Sequence, residues 1–93
     1  MKRHLIPSTA FVRAAKRLVK KQPQMVESFR ETLTLLECDA FDARLRTHKL
    51  KGELVGSWSC TAGYDLRIVF EFVRHDNAEA ILLLSIGTHD EVY

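Results

Sequence analysis

The hydrophobic period of this chain changes once, from about 3.6 residues in its first half to 2 in its second, and that change restricts the fold more than any other feature. From Ser8 onward Phe11, Ala14, Ala15, Leu18 and Val19 recur at helical spacing, while Arg13, Lys16, Arg17, Lys20 and Lys21 take the positions between them. Ser8 suits the N-cap of this helix, which is predicted from about Ser8 to Lys21. Pro23 suits the first turn of a second helix, predicted from Pro23 to Cys38, in which Val26, Phe29, Leu33 and Leu36 again repeat at three and four. Two such apolar stripes cannot bury themselves fully against each other. A sheet is required as the second layer.

That sheet is legible in the second half. Tyr64, Leu66, Ile68, Phe70 and Phe72 alternate with Asp65, Arg67, Val69, Glu71 and Val73, the pattern of a strand packed on one face. Asp76, Asn77, Ala78 and Glu79 predict a turn, and the apolar run Ala80 to Ile86 predicts a central strand antiparallel to the first. A strand from Val55 to Thr61, set off by Gly52, Gly56 and Gly63, completes a meander, and the residues near His4 to Ile6 suit a short edge strand. The fold expected is therefore α+β, with two N-terminal helices packed on one face of a curved antiparallel sheet of three to four strands. With 93 residues there is core for one domain, spanning 1–93, and too little for two.

Composition narrows the function classes. No apolar run approaches the roughly 20 residues that span a bilayer, and the start MKRHLIPSTAF lacks the apolar stretch of a signal peptide, so a soluble cytoplasmic protein without membrane contact is expected. Cys38 and Cys60 stand far apart outside any CxxC pattern, which signals neither a disulfide framework nor a zinc knuckle. The net charge of +2 conceals an asymmetry. Residues 1–52 hold 12 Lys or Arg against 5 Asp or Glu, whereas residues 53–93 hold 2 against 7. One folded domain with that split can present a basic face that attracts phosphates, although charge alone does not separate such a face from an ordinary solvated helix.

The informative polar groups lie in THKLKGELVGSW, between helices and strands, and in the final IGTHDEVY. His48 is flanked by Lys49 and Lys51 in a glycine-punctuated stretch where side chains tend to be exposed. His89 follows Gly87 and Thr88. Asp65 and Arg67, two residues apart, share the strand face opposite Leu66, Ile68 and Phe70. The four histidines lack the spacings that hold zinc. Ser57, Ser59 and Ser85 have no nucleophile elbow around them, and Cys60 has no support as a nucleophile. Two histidines, a carboxylate, an arginine and lysines do suit RNA cleavage without a metal, in which the 2′-hydroxyl attacks the adjacent phosphate. One group removes a proton, another protonates the leaving oxygen, and cations such as Arg67, Lys49 and Lys51 stabilise the added charge. Histidine, with an ordinary pKa of about 6.5, can serve either role at neutral pH. The same residues also fit solvated loops and a surface ion pair.

THKLKGELVGSWSCTAGYDLRIVFEF followed by LLLSIGTHDEVY resembles the YafQ-like toxins of the RelE/ParE superfamily in motif order and spacing over residues 46–93. The predicted order of helices and strands resembles them over the whole chain. The resemblance implies a type II toxin–antitoxin toxin that is a metal-free endoribonuclease, an mRNA interferase. It implies catalytic roles for His48 in an H-x-L-x-G segment, Asp65 before the central strand, His89 in a terminal GTH and the aromatic Tyr93. Arg67 corresponds to a strand arginine that clamps phosphate in many RelE-type relatives. Thr61 departs from the pattern, because the family often has a further His four residues before the strand Asp, so His48 and His89 carry more of the proton transfer.

Also implied are mRNA cleavage at the ribosome, neutralisation by a cognate antitoxin, and contact with operator DNA only through the antitoxin complex. No cofactor is needed when the ribosome orders the RNA backbone and the toxin supplies acid, base and charge. The competing readings are a ParE-like toxin that inhibits DNA gyrase without cleaving anything, and an inactive relative that only binds antitoxin. The paired histidines favour the nuclease.

Overall fold

In the computed structural model, which describes residues 2–63, 65–88 and 92, Ser8 caps the first helix as its sequence suggests. Its hydroxyl oxygen accepts a hydrogen bond from the Phe11 N–H at 3.1 Å, and α1 follows over Thr9–Lys21. Lys20 and Lys21 lie in its last turn, where positive charge complements the helix dipole. The second expected helix divides in two. Pro23–Met25 forms one 3₁₀ turn and α2 runs over Val26–Cys38. Gln22, with φ −136° and ψ 68°, breaks helical geometry between α1 and that turn. None of the described helices is long and apolar enough to cross a membrane.

Five strands follow the order β1-β5-β4-β3-β2, with β1 at His4–Pro7, β2 at His48–Lys49, β3 at Trp58–Ala62, β4 at Leu66–His75 and β5 at Ala78–Thr88. Among the described residues the sheet therefore has five strands rather than three to four. The two-residue β2 is the strand not foreseen, whereas β1 is the edge strand expected near His4 to Ile6. The sheet is also mixed rather than purely antiparallel, because β1 pairs parallel with β5. The β4–β5 hairpin leaves the outer edge of β5 with unpaired backbone groups, and β1 satisfies them from His4 opposite Ala80 to Pro7 opposite Leu83. The join continues into α1, since the Ser8 N–H donates to the Leu83 carbonyl at 2.9 Å and the Ser8 hydroxyl donates to that of Leu84 at 3.3 Å.

The turn between β4 and β5 is tighter than the expected Asp76 to Glu79. Asp76 and Asn77 both adopt left-handed φ, 50° and 64°, and close the hairpin alone, so Ala78 and Glu79 already belong to β5. Likewise β4 begins at Leu66 and not at Tyr64, which lies outside the described residues. Gly63 has φ 78°, and a Cβ there would come within 3.0 Å of Met25 Cε. The approach to β4 is thus a turn packed close against the start of α2.

Leu66, Ile68 and Phe70 are buried as predicted, together with Cys60 and Ala62 from β3 and Ile81, Leu83 and Ile86 from β5. Leu83 and Ile86 are three residues apart, a spacing that would place them on opposite faces of a regular strand. A bulge reconciles them: Val69 opposes Ser85 while Phe70 opposes Leu83, leaving Leu84 as the extra residue. Phe11 from α1 and Leu36 from α2 seal this face, and the rings of Phe11 and Phe29 lie 6.1 Å apart between the helices. Phe70 sits at 0% exposure at the centre of the cluster. Phe70→Ala should destabilise the domain by about 3–5 kcal/mol, the sum of lost transfer energy and a residual cavity, measured as a lower denaturant midpoint with unchanged slope.

Candidate active site

His48 is positioned by the loop that leaves α2. The Asp39 carboxylate accepts from the Phe41 N–H at 3.0 Å, and Asp42 caps the 3₁₀ turn Ala43–Leu45 by accepting from the Arg44 N–H at 2.9 Å. The Arg44 side chain also grips the Asp42 carboxylate at 3.0 and 2.8 Å. That side-chain hydrogen bonding, with the backbone bond second, pulls the Asp42 carboxyl down to about 2. Leu45 anchors the turn in the core, and the Thr47 hydroxyl donates to the Ala40 carbonyl at 2.6 Å. Arg46 adopts φ 52°, and its carbonyl oxygen lies 3.1 Å from His48 Nδ1. A carbonyl oxygen only accepts, so the neutral imidazole carries its proton on Nδ1 and leaves the Nε2 lone pair bare. The ring is exposed, with Nε2 available as a base.

Strand register decides what shares a face with His48. His48 opposes Ser59, Ser59 opposes Val69, and Val69 opposes Ser85, which makes one row across four strands on the side of the sheet away from the helices. The next row, two residues along, is Thr61, Arg67 and Gly87. The side chains of His48 and Arg67 therefore project from the same face, their strands two spacings or about 10 Å apart. The centre of this face is closed, since Ser59 and Val69 are 0% and 2% exposed. Arg67 is half-buried, and its Nη1 donates to the Leu66 carbonyl at 2.9 Å.

The other expected site residues divide. Asp65 is exposed and lies in the turn one residue before β4, so it does not share a strand face with Arg67 as the alternation suggested. Lys49, opposite Trp58 and Phe70 in register, projects to the helix side, where its Nζ lies 5.4 Å from the Trp58 ring centroid. Lys51 is exposed in the loop after β2. His89 and Tyr93 lie outside the described residues. Thr61 is directly opposite Arg67.

Sequence reasoning passed over Glu71, whose carboxylate accepts from the Ser57 hydroxyl at 3.3 Å on the face of Arg67. Its period-two spacing from Arg67 was the available signal. Among the described residues, no group of three or more His, Cys, Asp or Glu gathers as metal ligands. Cys60 is buried in the core, and desolvation pushes its thiol up to about 12, which keeps it protonated and unreactive at neutral pH.

A family model described as the bacterial toxin of the type II toxin–antitoxin system, YafQ, matches residues 3–93. The chain belongs to the YafQ toxin family. YafQ from E. coli strain BL21(DE3) superposes with a TM-score of 0.77 at 18% identity, over 99% of this chain and 99% of that one. YafQ in the E. coli DinJ–YafQ toxin–antitoxin complex gives a TM-score of 0.75 at 19% identity, covering 100% and 99%. The YoeB/ParE toxin from Agrobacterium tumefaciens gives 0.75 at 16% identity, over 92% and 98%. At these identities the likeness is one of fold. No curated protein sequence gives a significant match.

Within this YafQ family member, the Arg46 carbonyl sets the tautomer of His48. Long-range ¹H–¹⁵N correlation spectra of the neutral imidazole should show the His48 proton on Nδ1. A proton found on Nε2 would contradict this arrangement.

Proposed function

We propose that this YafQ-family toxin is an endoribonuclease that cleaves mRNA at the ribosome in the cytoplasm. The observation that carries the reading is the pairing of an exposed His48, its Nε2 lone pair bare, with Arg67 on one face of the sheet. His48 takes the proton of the 2′-hydroxyl through Nε2 as that oxygen attacks the adjacent phosphorus. The bond from phosphorus to the 5′-oxygen then breaks, leaving a 2′,3′-cyclic phosphate on one fragment. His89, which follows β5 directly in sequence, protonates the departing 5′-oxygen.

Arg67 stabilises the charge that develops on the phosphorane, and Asp65 orients the donors around it. Tyr93 stacks on a base or donates through its hydroxyl. Lys51 assists electrostatically from its loop, while Lys49 contributes at longer range, because its ammonium is engaged on Trp58. The reaction requires no metal or other cofactor, since proton transfer and charge stabilisation both come from side chains. Ribosomal ordering of the mRNA supplies the in-line geometry.

The partner that restrains the toxin is a cognate antitoxin, and through that complex operator DNA. The E. coli DinJ–YafQ complex, whose toxin shares this fold, supports an antitoxin partner. So does the excess of cations in residues 1–52, which attracts an acidic segment that folds on binding.

His48→Ala and His89→Ala should each lower cleavage of translated mRNA by roughly 10²-fold or more, with antitoxin binding and thermal stability nearly unchanged. Tyr93→Phe should retain most activity if the ring only stacks. Full cleavage by the doubly substituted protein would overturn the assignment. Toxicity that persists without any cleavage would instead support gyrase inhibition.

A further inference from the structure

α1 carries Arg13, Lys16, Arg17, Lys20 and Lys21 and no carboxylate. At 100° per residue these five cations span about 140° of the helix, with Arg13, Lys16 and Lys20 opposite Phe11 and with Arg17 and Lys21 flanking Ala14. All five are exposed, and none forms a salt bridge among the described residues. Packing explains the apolar side of α1 and leaves this side unexplained. Five like charges within four turns repel one another, so the surface is poised for a polyanion.

The C-terminal end of that stripe lies next to the proposed cleavage site. Arg17, Lys21 and Gln22 line a cleft of about 50 Å³ with Ala14, Leu18 and the end of β5 at Ile86 and Gly87. Gly87 is the register partner of Arg67. Gly87 is itself buried, so the arginine and the cleft flank one and the same residue. The phosphates next to one held at Arg67 are therefore close to the cations of the cleft, since both groups adjoin Gly87. Arg17 and Lys21 are four residues apart, about 6 Å along the axis, a step comparable to that between successive phosphates of an extended single strand.

We infer that the C-terminal half of α1 is a second RNA-backbone subsite, in which Arg17 and Lys21 hold phosphates that flank the bond cleaved at His48 and Arg67. This rests on the nuclease reading and extends it. The subsite recognises phosphate and not base identity, because its donors are two flexible cations and an amide without a base-reading pocket. Continuity with Arg67 through Gly87 favours RNA over an acidic protein segment as the occupant.

The test uses the full chain and a labelled single-stranded oligoribonucleotide, 2′-O-methylated throughout so that it binds without being cleaved. For the double variant Arg17→Gln, Lys21→Gln, the slope of log affinity against log salt should become shallower by about 1.4, or 0.7 for each phosphate that is no longer neutralised. On translated mRNA its KM should rise several-fold at unchanged kcat, whereas Arg30→Gln on the exposed side of α2 should leave both the slope and KM as they were. The pair Arg17→Glu, Lys21→Glu should weaken binding further, with thermal melting showing that each variant is folded. An unchanged slope and KM in the double variants, while the wild type cleaves, would overturn the subsite alone. A variant that loses antitoxin affinity but keeps RNA affinity would also overturn it and assign the face to protein docking. A wild type that fails to cleave translated mRNA under any condition would overturn the nuclease reading on which the subsite rests.

Discussion

The antiparallel pairing of β4 with β5 is the constraint on which the rest of the molecule depends, because it runs from Leu66 opposite Thr88 to His75 opposite Ala78 and borders every other layer. Its inner face supplies Leu66, Ile68, Phe70, Ile81, Leu83 and Ile86, the apolar floor that α1 and α2 cover. Its two outer edges recruit β1 on one side and β3 on the other. The bulge at Leu84 is what allows one continuous floor, since without the extra residue Leu83 and Ile86 would fall on opposite faces and one of them would lose its burial. A two-residue turn of left-handed Asp76 and Asn77 sets the register from the other end. Short local devices at both ends thereby determine where Arg67 and Gly87 stand relative to each other.

The polar face inherits its order from that register. A row of His48, Ser59, Val69 and Ser85 beside a row of Thr61, Arg67 and Gly87 brings a base and a cation to one surface without direct contact between them. Rigidity on that surface comes from different sources for the two groups. Arg67 is carried by the central strand, whereas His48 lies on a two-residue edge strand whose placement depends on the loop before it. The Asp42–Arg44 fork, the Thr47 to Ala40 hydrogen bond and the buried Leu45 hold that loop from three directions. The role proposed for His48 requires such support, since proton transfer falls off steeply when the donor and acceptor drift out of hydrogen-bonding reach.

The aromatic and cationic residues on the helix side follow a separate logic. Phe41, Trp58 and Phe72 pack with centroids 5.3–5.6 Å apart, and Arg3 and Lys49 lie over the rings of Phe72 and Trp58. Arg3 also pairs with Glu79 at 3.0 Å, and its backbone N–H donates to the Glu37 carbonyl, so the first strand, the end of α2 and the start of β5 meet there. This cluster extends the core past the reach of the two helices. It also explains why Lys49, adjacent to His48 in sequence, projects away from it: neighbours in a strand point to opposite sides.

The sequence by itself determined the elements and the inner face. A helical period to Leu36, a switch to period two from Tyr64, a capping serine at Ser8 and a turn that begins at Asp76 are local properties, fixed by side-chain size and backbone preference within a few residues. The resemblance of its histidine segments to the YafQ-like toxins likewise lay in the residues themselves, and the family follows from them. Local spacing misplaced Asp65, because the turn at Gly63 delays the strand by two residues, and it lengthened the turn at Asp76 for want of the pairing partner. Only the tertiary structure decided the parallel β1, the bulge at Leu84, the row that joins His48 to the face of Arg67, and the cleft that sets Arg17 and Lys21 beside Gly87. Each of these is a relation between residues far apart in the chain. Such relations depend on register and on which edges remain unsatisfied once the core has closed, and no window of sequence contains that information.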